Sequence, residues 1–96
     1  MLSPQLLQVI PNFVYIIQSE QDQTYYKGFT ENIVKRLEQH NNGESKNTSR
    51  KIPWRLVYLE ELPTKREALI REKQIKRFNT VYLRKLIKDY QHNHQG

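Results

Sequence analysis

Residues Phe13–Ile17 constrain the fold of this chain more than any other stretch. All five side chains are apolar, and each is either β-branched or aromatic. An unbroken run of this kind is typical of a strand whose two faces are both covered. The sequence therefore predicts a sheet in which this strand is central.

A second strand follows after a short polar link. Residues 19–24 are polar and turn-like, and Thr24–Phe29 returns with strand composition, which predicts a β-hairpin. Because side chains alternate between faces along a strand, Tyr26 and Gly28 share one face of the sheet and Lys27 lies on the other. The missing side chain at Gly28 leaves room beside Tyr26 for a ligand or a close backbone.

The pattern then changes to that of a helix. Thr30 can cap a helix that runs to about Asn42, where Gly43 is a suitable stop. Arg36 and His40 are four residues apart, so they lie on the same side of this helix. The hairpin is thus followed by a helix that carries a guanidinium and an imidazole together.

The second half of the chain predicts a further strand and a further helix. A polar loop over residues 44–53 leads to a third strand over residues 54–61. Thr64 and Glu67 then form a capping box, which is a fairly specific sign of a helix start.

Glu72 lies within the apolar face of this second helix. It follows Ala68 by four residues and precedes Ile75 by three. An ionised carboxylate in an apolar stripe is costly unless a cation accompanies it. The sequence therefore predicts that Glu72 has a cationic partner, and an ion pair with Arg36 across the fold would meet this need without metal.

A third helix follows Asn79, with Thr80 as its predicted cap. The order strand, strand, helix, strand, helix, helix predicts an α+β fold, a small three-stranded antiparallel sheet flanked by helices. We expect residues 1–12, which two prolines interrupt, to be an N-terminal extension. Residues 13–90 are the predicted single domain, and residues 91–96 a polar tail.

The amino-acid composition favours certain cellular compartments and binding partners over others. The 96 residues include 16 Lys and Arg against 10 Asp and Glu, a net charge of +6 that modestly favours nucleic acid over a merely soluble basic surface. Cysteine is absent, which excludes disulfides and thiolate metal sites. No apolar run approaches the roughly 20 residues of a membrane span, and no secretory signal is recognisable. We therefore expect a cytoplasmic protein without a membrane partner.

Four short motifs together resemble the GIY-YIG nuclease domain, particularly its small stand-alone members similar to the catalytic incision module of the nucleotide-excision repair nuclease. They fall on Phe13–Tyr15, Tyr26–Gly28, Arg36–His40 and Glu67–Glu72. The first keeps only the tyrosine of the family pattern, and the second has lysine in place of isoleucine. Each motif is weak alone, but their order and spacing over residues 13–89 make the resemblance strong.

The resemblance implies a DNA endonuclease that uses Mg²⁺ or Mn²⁺ and acts in repair or recombination. Because the remaining length holds no base-reading module, we expect it to recognise backbone or shape rather than sequence. Glu72 would bind the metal, and Arg36 would neutralise charge on the phosphate. Tyr15 would take a proton from the attacking water, and Tyr26 would position the water or the phosphate, with these two roles exchangeable. His40 and the metal would lower the pKa of Tyr15.

The resemblance also leaves open positions and alternatives. Asn79 is the nearest candidate for an asparagine that the family often has late in the domain. Taken singly, Tyr15 and Tyr26 could be ordinary strand aromatics, and His40 a histidine favoured by the helix dipole. The residues predicted to bind nucleic acid are Lys27, Lys35, Lys46, Arg50, Lys51, Arg71 and Lys76.

Two other functions are compatible with these residues. The first is a catalytically silent nucleic-acid-binding module on the same fold, and the second is a small interaction protein with incidental charge. DNA is the predicted partner before RNA. Because no base-reading module fits the length, a protein partner would have to supply sequence specificity.

Overall fold

The computed structural model describes residues 10–94, so most of the predicted N-terminal extension lies outside the described residues. The described part has the predicted order of elements and confirms the predicted α+β class. The domain limits at residues 13 and 90 stay predictions. The elements are β1 (Asn12–Ser19), β2 (Tyr25–Thr30), α1 (Ile33–Asn41), β3 (Trp54–Leu62), α2 (Lys65–Lys76) and α3 (Thr80–Asn93).

The sheet has the order β2-β1-β3 with both pairings antiparallel, so β1 is central as predicted. Tyr15 lies opposite Gly28 on one side and opposite Leu59 on the other. Val14 and Ile16 are fully buried, as is their neighbour Tyr15 at 1% exposure, although successive side chains point to opposite faces. Both faces of β1 are therefore covered, which explains its unbroken apolar sequence.

Each face of the sheet carries its own core. Helices α2 and α3 cover one face, where Ala68 and Ile75 of α2 pack with Val14 and Ile16 of β1. Helix α1 covers the other face, whose core contains a different set. Its buried residues are Tyr15, Ile17 and Trp54, with Tyr26, Ile33, Ile52, Leu37, Leu56 and Leu59 partly buried around them.

The start of α1 corrects the prediction. Asn32, not Thr30, is the N-cap, and its side chain accepts a hydrogen bond from the Lys35 N–H at 3.1 Å. The Thr30 hydroxyl instead accepts from the Asn32 N–H at 3.1 Å and shapes the turn before the helix. The predicted stop is confirmed, since Gly43 follows α1 with a φ of 76°.

The other two helix starts give one confirmation and one correction. Thr64 caps α2 by accepting from the Glu67 N–H at 3.1 Å, as the capping box predicted. Asn79 rather than Thr80 caps α3, and its side chain accepts from the Tyr82 N–H at 2.9 Å. The candidate for the late asparagine thus has a structural role. In the part of the chain from residue 10 to 94, no helix is both long and apolar enough to cross a membrane.

Candidate active site

The hydroxyl of Tyr15 is the centre of a polar cluster beneath α1. Strand β1 supplies Tyr15, and α1 supplies Arg36 and His40 one turn apart. Arg36 Nε donates to Tyr15 Oη at 3.3 Å, and His40 Nε2 lies 2.8 Å from the same oxygen. The ring of Tyr26, from β2, lies 5.1 Å from the His40 ring between centroids. Four of the five predicted catalytic residues therefore lie together.

Gly28 provides the space that the Tyr15 ring occupies. The two residues are directly opposite in the pairing of β1 with β2. A Cβ atom at Gly28 would lie 2.5 Å from Tyr15 Oη and 2.6 Å from Cζ. The prediction that this space serves a ligand or a close backbone is wrong, because the side chain of the facing strand fills it.

His40 is buried and uncharged. Its exposed fraction is 0%, and burial together with the charge of Arg36 lowers its pKa to about 4. At neutral pH the imidazole is therefore neutral, and it has no positive charge with which to lower the pKa of Tyr15. That part of the prediction is wrong. His40 does lie in the last turn of α1, as the helix-end alternative expected, but the neutral ring has no charge for the helix dipole to favour.

The phenol of Tyr15 stays protonated at neutral pH. Burial raises its pKa above the ordinary value of 10.0, the hydrogen bond and charge of Arg36 lower it, and the charges of Tyr26 and Glu72 raise it. Burial of Arg36 lowers its pKa, but the hydrogen bonds and charges of Tyr15 and Tyr26 together outweigh this effect and leave the pKa raised. Tyr15 can therefore act as a base only by passing its own proton onward, and the nearest acceptor is His40 Nε2.

Glu72 lies on α2, the helix that packs on the opposite face of the sheet from α1. Its side chain is 17% exposed, and its charge is one of those that raise the pKa of Tyr15. Its Oε2 lies 3.5 Å from Nζ of Lys76, one turn later on the helix. Between residues 10 and 94, Lys76 is the sole cationic side chain within 4.0 Å of this carboxylate. The predicted alternative of an ion pair with Arg36 is therefore wrong.

A divalent metal ion fits the chemistry of Glu72 but would need other ligands. Within residues 10–94, no three His, Cys, Asp or Glu side chains gather closely enough to hold a metal ion among themselves. Mg²⁺ commonly keeps several waters and binds through one or two carboxylates together with substrate phosphates. A largely buried carboxylate whose one partner is a half-exposed lysine suits that mode of binding.

Thr48 completes the cluster, although no sequence pattern pointed to it. Its Oγ1 lies 2.7 Å from His40 Nδ1, and its exposed fraction is 0%. The indole Nε1–H of Trp54 donates to the Thr48 carbonyl at 2.9 Å. A threonine in a polar loop has neither periodicity nor a motif, so no sequence signal distinguished it from its neighbours.

Four of the seven residues predicted to bind nucleic acid line a different cleft or pair with acidic side chains. Lys27 lies on the face of the sheet opposite Tyr15, where it lines a cleft of about 460 Å³ with Arg84 of α3. The other three form ion pairs: Lys51 with Asp22 at 3.1 Å, Arg71 with Glu60 at 2.9 Å, and Lys76 with Glu72 at 3.5 Å. Lys35, Lys46 and Arg50 are exposed. The structure thus does not gather the seven around Tyr15.

The model of the GIY-YIG catalytic domain matches residues 11–82, a span that contains all five predicted catalytic residues. This match covers most of the chain. The protein belongs to the GIY-YIG family, a family of nucleases, as its motifs predicted.

Relatives of similar size share this membership. The chain is 42% identical over 79 residues to a UPF0213 protein of Syntrophus aciditrophicus, a match that covers 80% of this chain and 90% of that protein. It is 40% identical over 79 residues to a UPF0213 protein of Staphylococcus saprophyticus, covering 81% and 95%. The solution NMR structure of a UPF0213 protein from Bacillus halodurans superposes with a TM-score of 0.54 at 29% identity, covering 81% and 83%.

Proposed function

We propose that this protein is a divalent-metal-dependent endonuclease that hydrolyses phosphodiester bonds in DNA, directed by backbone or shape rather than by sequence. The observation that carries the proposal is the surroundings of the Tyr15 hydroxyl. It lies between a cationic donor, Arg36, and a neutral acceptor, His40, and the charge of Glu72 reaches it. A structural core would not require a guanidinium and an imidazole on the same buried phenol.

Arg36 is the residue we assign to the phosphate. It uses Nε for Tyr15 and Nη1 for Gln39, at 3.3 Å and 3.1 Å, and the guanidinium keeps further N–H donors. The planar guanidinium can direct these remaining donors at two oxygens of one phosphate. Arg36 would therefore neutralise the charge that develops on the phosphoryl group during attack.

Tyr15 and His40 together would activate the attacking water. The water gives a proton to Tyr15 Oη while the Tyr15 O–H proton passes to His40 Nε2 across 2.8 Å. The nucleophile that results is hydroxide, and the imidazole gains one positive charge. Because burial and Arg36 lower the pKa of His40 to about 4, the imidazolium releases this proton readily and returns to its neutral form. Tyr26 would orient the water or the phosphate.

Glu72 is the residue that would hold Mg²⁺ or Mn²⁺. When bound, the ion would supply charge stabilisation for the leaving oxygen. To bind the ion, the carboxylate would have to give up its contact with Lys76. The Lys76 side chain is half exposed, so it can turn towards solvent or towards the DNA backbone. Exposed Lys35, Lys46 and Arg50, with the net charge of +6, would attract the DNA backbone.

The proposal also covers the substrate, the biological role and the cellular location. We assign DNA before RNA as substrate, a role in repair or recombination, and a cytoplasmic location. A protein partner would supply any strong sequence specificity. The alternative, a module that binds nucleic acid without cleavage, is favoured by one observation, the existing ion pair between Glu72 and Lys76.

Cleavage assays separate these two functions. The purified protein is incubated with single-stranded, duplex and branched DNA in Mg²⁺, in Mn²⁺ and in EDTA, beside Glu72→Gln and Tyr15→Phe. Glu61→Gln and Tyr82→Phe are matched controls, because both residues are exposed on other parts of the surface. Metal-dependent cutting that is lost in the first pair and kept in the second supports the proposal. A folded protein that binds DNA but cuts no substrate supports the binding module instead.

A further inference from the structure

We propose that Thr48 is a positioning residue that fixes the tautomer of His40, with the proton on Nδ1 and the bare Nε2 facing Tyr15. The tautomer itself follows from the hydrogen bonds of the folded chain. Its importance for catalysis rests on the proposed function. Nothing in the motifs of the family drew attention to this residue, which lies in the loop between α1 and β3.

The direction of the hydrogen bonds is set by the two ends of a chain of polar groups. At one end Arg36 can only donate, and it does so to Tyr15 at 3.3 Å. At the other end the Ser45 carbonyl can only accept, and the Thr48 hydroxyl donates to it at 3.4 Å. Between these ends, Tyr15 meets His40 Nε2 at 2.8 Å and Thr48 meets His40 Nδ1 at 2.7 Å.

One orientation satisfies every group in this chain. Each member donates to the next, so Tyr15 O–H points to Nε2 and Nδ1–H points to the Thr48 oxygen. In the reverse orientation His40 would donate to Tyr15, and the Tyr15 proton would have no acceptor among residues 10–94. Tyr15 is 1% exposed and His40 and Thr48 are 0% exposed, so leaving such a group unpaired would be costly.

The backbone around Thr48 is held independently of His40. Trp54 Nε1 donates to the Thr48 carbonyl at 2.9 Å, and the Thr48 N–H donates to the Ser45 carbonyl at 3.1 Å. The Ser19 hydroxyl donates to the Lys51 carbonyl at 2.7 Å and ties the end of the loop to β1. On the loop itself these contacts use only main-chain atoms, so they survive a change of the Thr48 side chain. The loop backbone therefore holds the Thr48 hydroxyl beside His40 Nδ1.

This tautomer is the one that proton transfer from Tyr15 requires. A bare Nε2 can accept the phenol proton at the moment when Tyr15 takes one from water, whereas a protonated Nε2 would block that transfer. The hydroxyl of Thr48 also supports the imidazolium by accepting from Nδ1–H throughout. Loss of a group that orients a catalytic or ligating imidazole commonly lowers activity by roughly 10- to 100-fold.

The test compares Thr48→Ser, which keeps the hydroxyl, with Thr48→Val, which replaces it by a methyl group of similar size. The ¹⁵N chemical shifts of the imidazole report which nitrogen carries the proton, in the protein alone without DNA or metal. We expect the wild type and Thr48→Ser to carry the proton on Nδ1 of His40, and Thr48→Val to lose that preference. Exposed His92 provides a reference signal in the same spectra.

Cleavage is the second readout. Thr48→Val should lower kcat by roughly 10- to 100-fold with little change in KM for DNA, and Thr48→Ser should restore most of the rate. Thermal unfolding shows whether each variant is folded. A wild-type His40 protonated on Nε2, or a folded Thr48→Val that keeps both the Nδ1 proton and the rate, would overturn the inference. If the wild type cuts no DNA, the nuclease proposal fails, while the ¹⁵N spectra still decide the tautomer.

Discussion

Replacing Gly28 by alanine would test the geometry of the site directly. The new Cβ would lie 2.5 Å from Tyr15 Oη and 2.6 Å from Cζ, where an ordinary contact is 3.4 Å or longer. The fully buried phenol would have to move by about 1 Å, which should lower the free energy of unfolding by about 1–3 kcal/mol. The same shift disturbs the 2.8 Å contact with His40, so we expect cleavage to fall by about 100-fold.

A double-mutant cycle isolates this clash. Urea unfolding gives the free energies of Gly28→Ala, Tyr15→Leu and the double variant. Because leucine lacks the phenol, Gly28→Ala should lower the free energy of unfolding by less than about 0.5 kcal/mol in the Tyr15→Leu background. A Gly28→Ala protein as stable and as active as the wild type would refute the argument. So would an equal loss of stability in both backgrounds, since the cost would then not come from Tyr15.

Two further predictions concern stability. His40 is neutral in the folded protein with a pKa of about 4, whereas the unfolded chain takes up a proton at the ordinary 6.5. The free energy of unfolding should therefore fall by about 3 kcal/mol as the pH drops from about 6.5 to 4, and His40→Gln but not His92→Gln should remove this component. Asn79→Ala should cost about 1 kcal/mol through the lost cap of α3 and leave cleavage unchanged. A large loss of cleavage with unchanged stability would instead place Asn79 at the active site.

The starts of the helices show how far local patterns determine the fold. Each predicted helix exists, because apolar periodicity and capping residues act within a few positions of one another. Two of the three caps were nevertheless assigned wrongly, to Thr30 instead of Asn32 and to Thr80 instead of Asn79. Threonine and asparagine are both good caps, and a local pattern does not choose between two such residues one or two positions apart.

Glu72 shows what a pattern can and cannot identify at the site. Its place in an apolar stripe predicted a carboxylate with a special partner, and that inference needs only the helical period. The sequence analysis named Arg36 across the fold, but the partner is Lys76, four residues later on the same helix. The helical period alone contains this (i, i+4) pair, whereas the distance from Glu72 to Arg36 depends on how the helices dock.

The sequence by itself determined the central strand, the order of elements, the family and a helix that carries Arg36 and His40 on one side. Only the tertiary structure decided the chemistry of that side. It brings Tyr15 to His40 across 25 positions of sequence, folds Thr48 back onto the other imidazole nitrogen, and buries the ring so that it is neutral. Periodicity and capping are interactions among near neighbours. Charge state and hydrogen-bond direction depend on which distant groups share a buried space, and packing alone sets that.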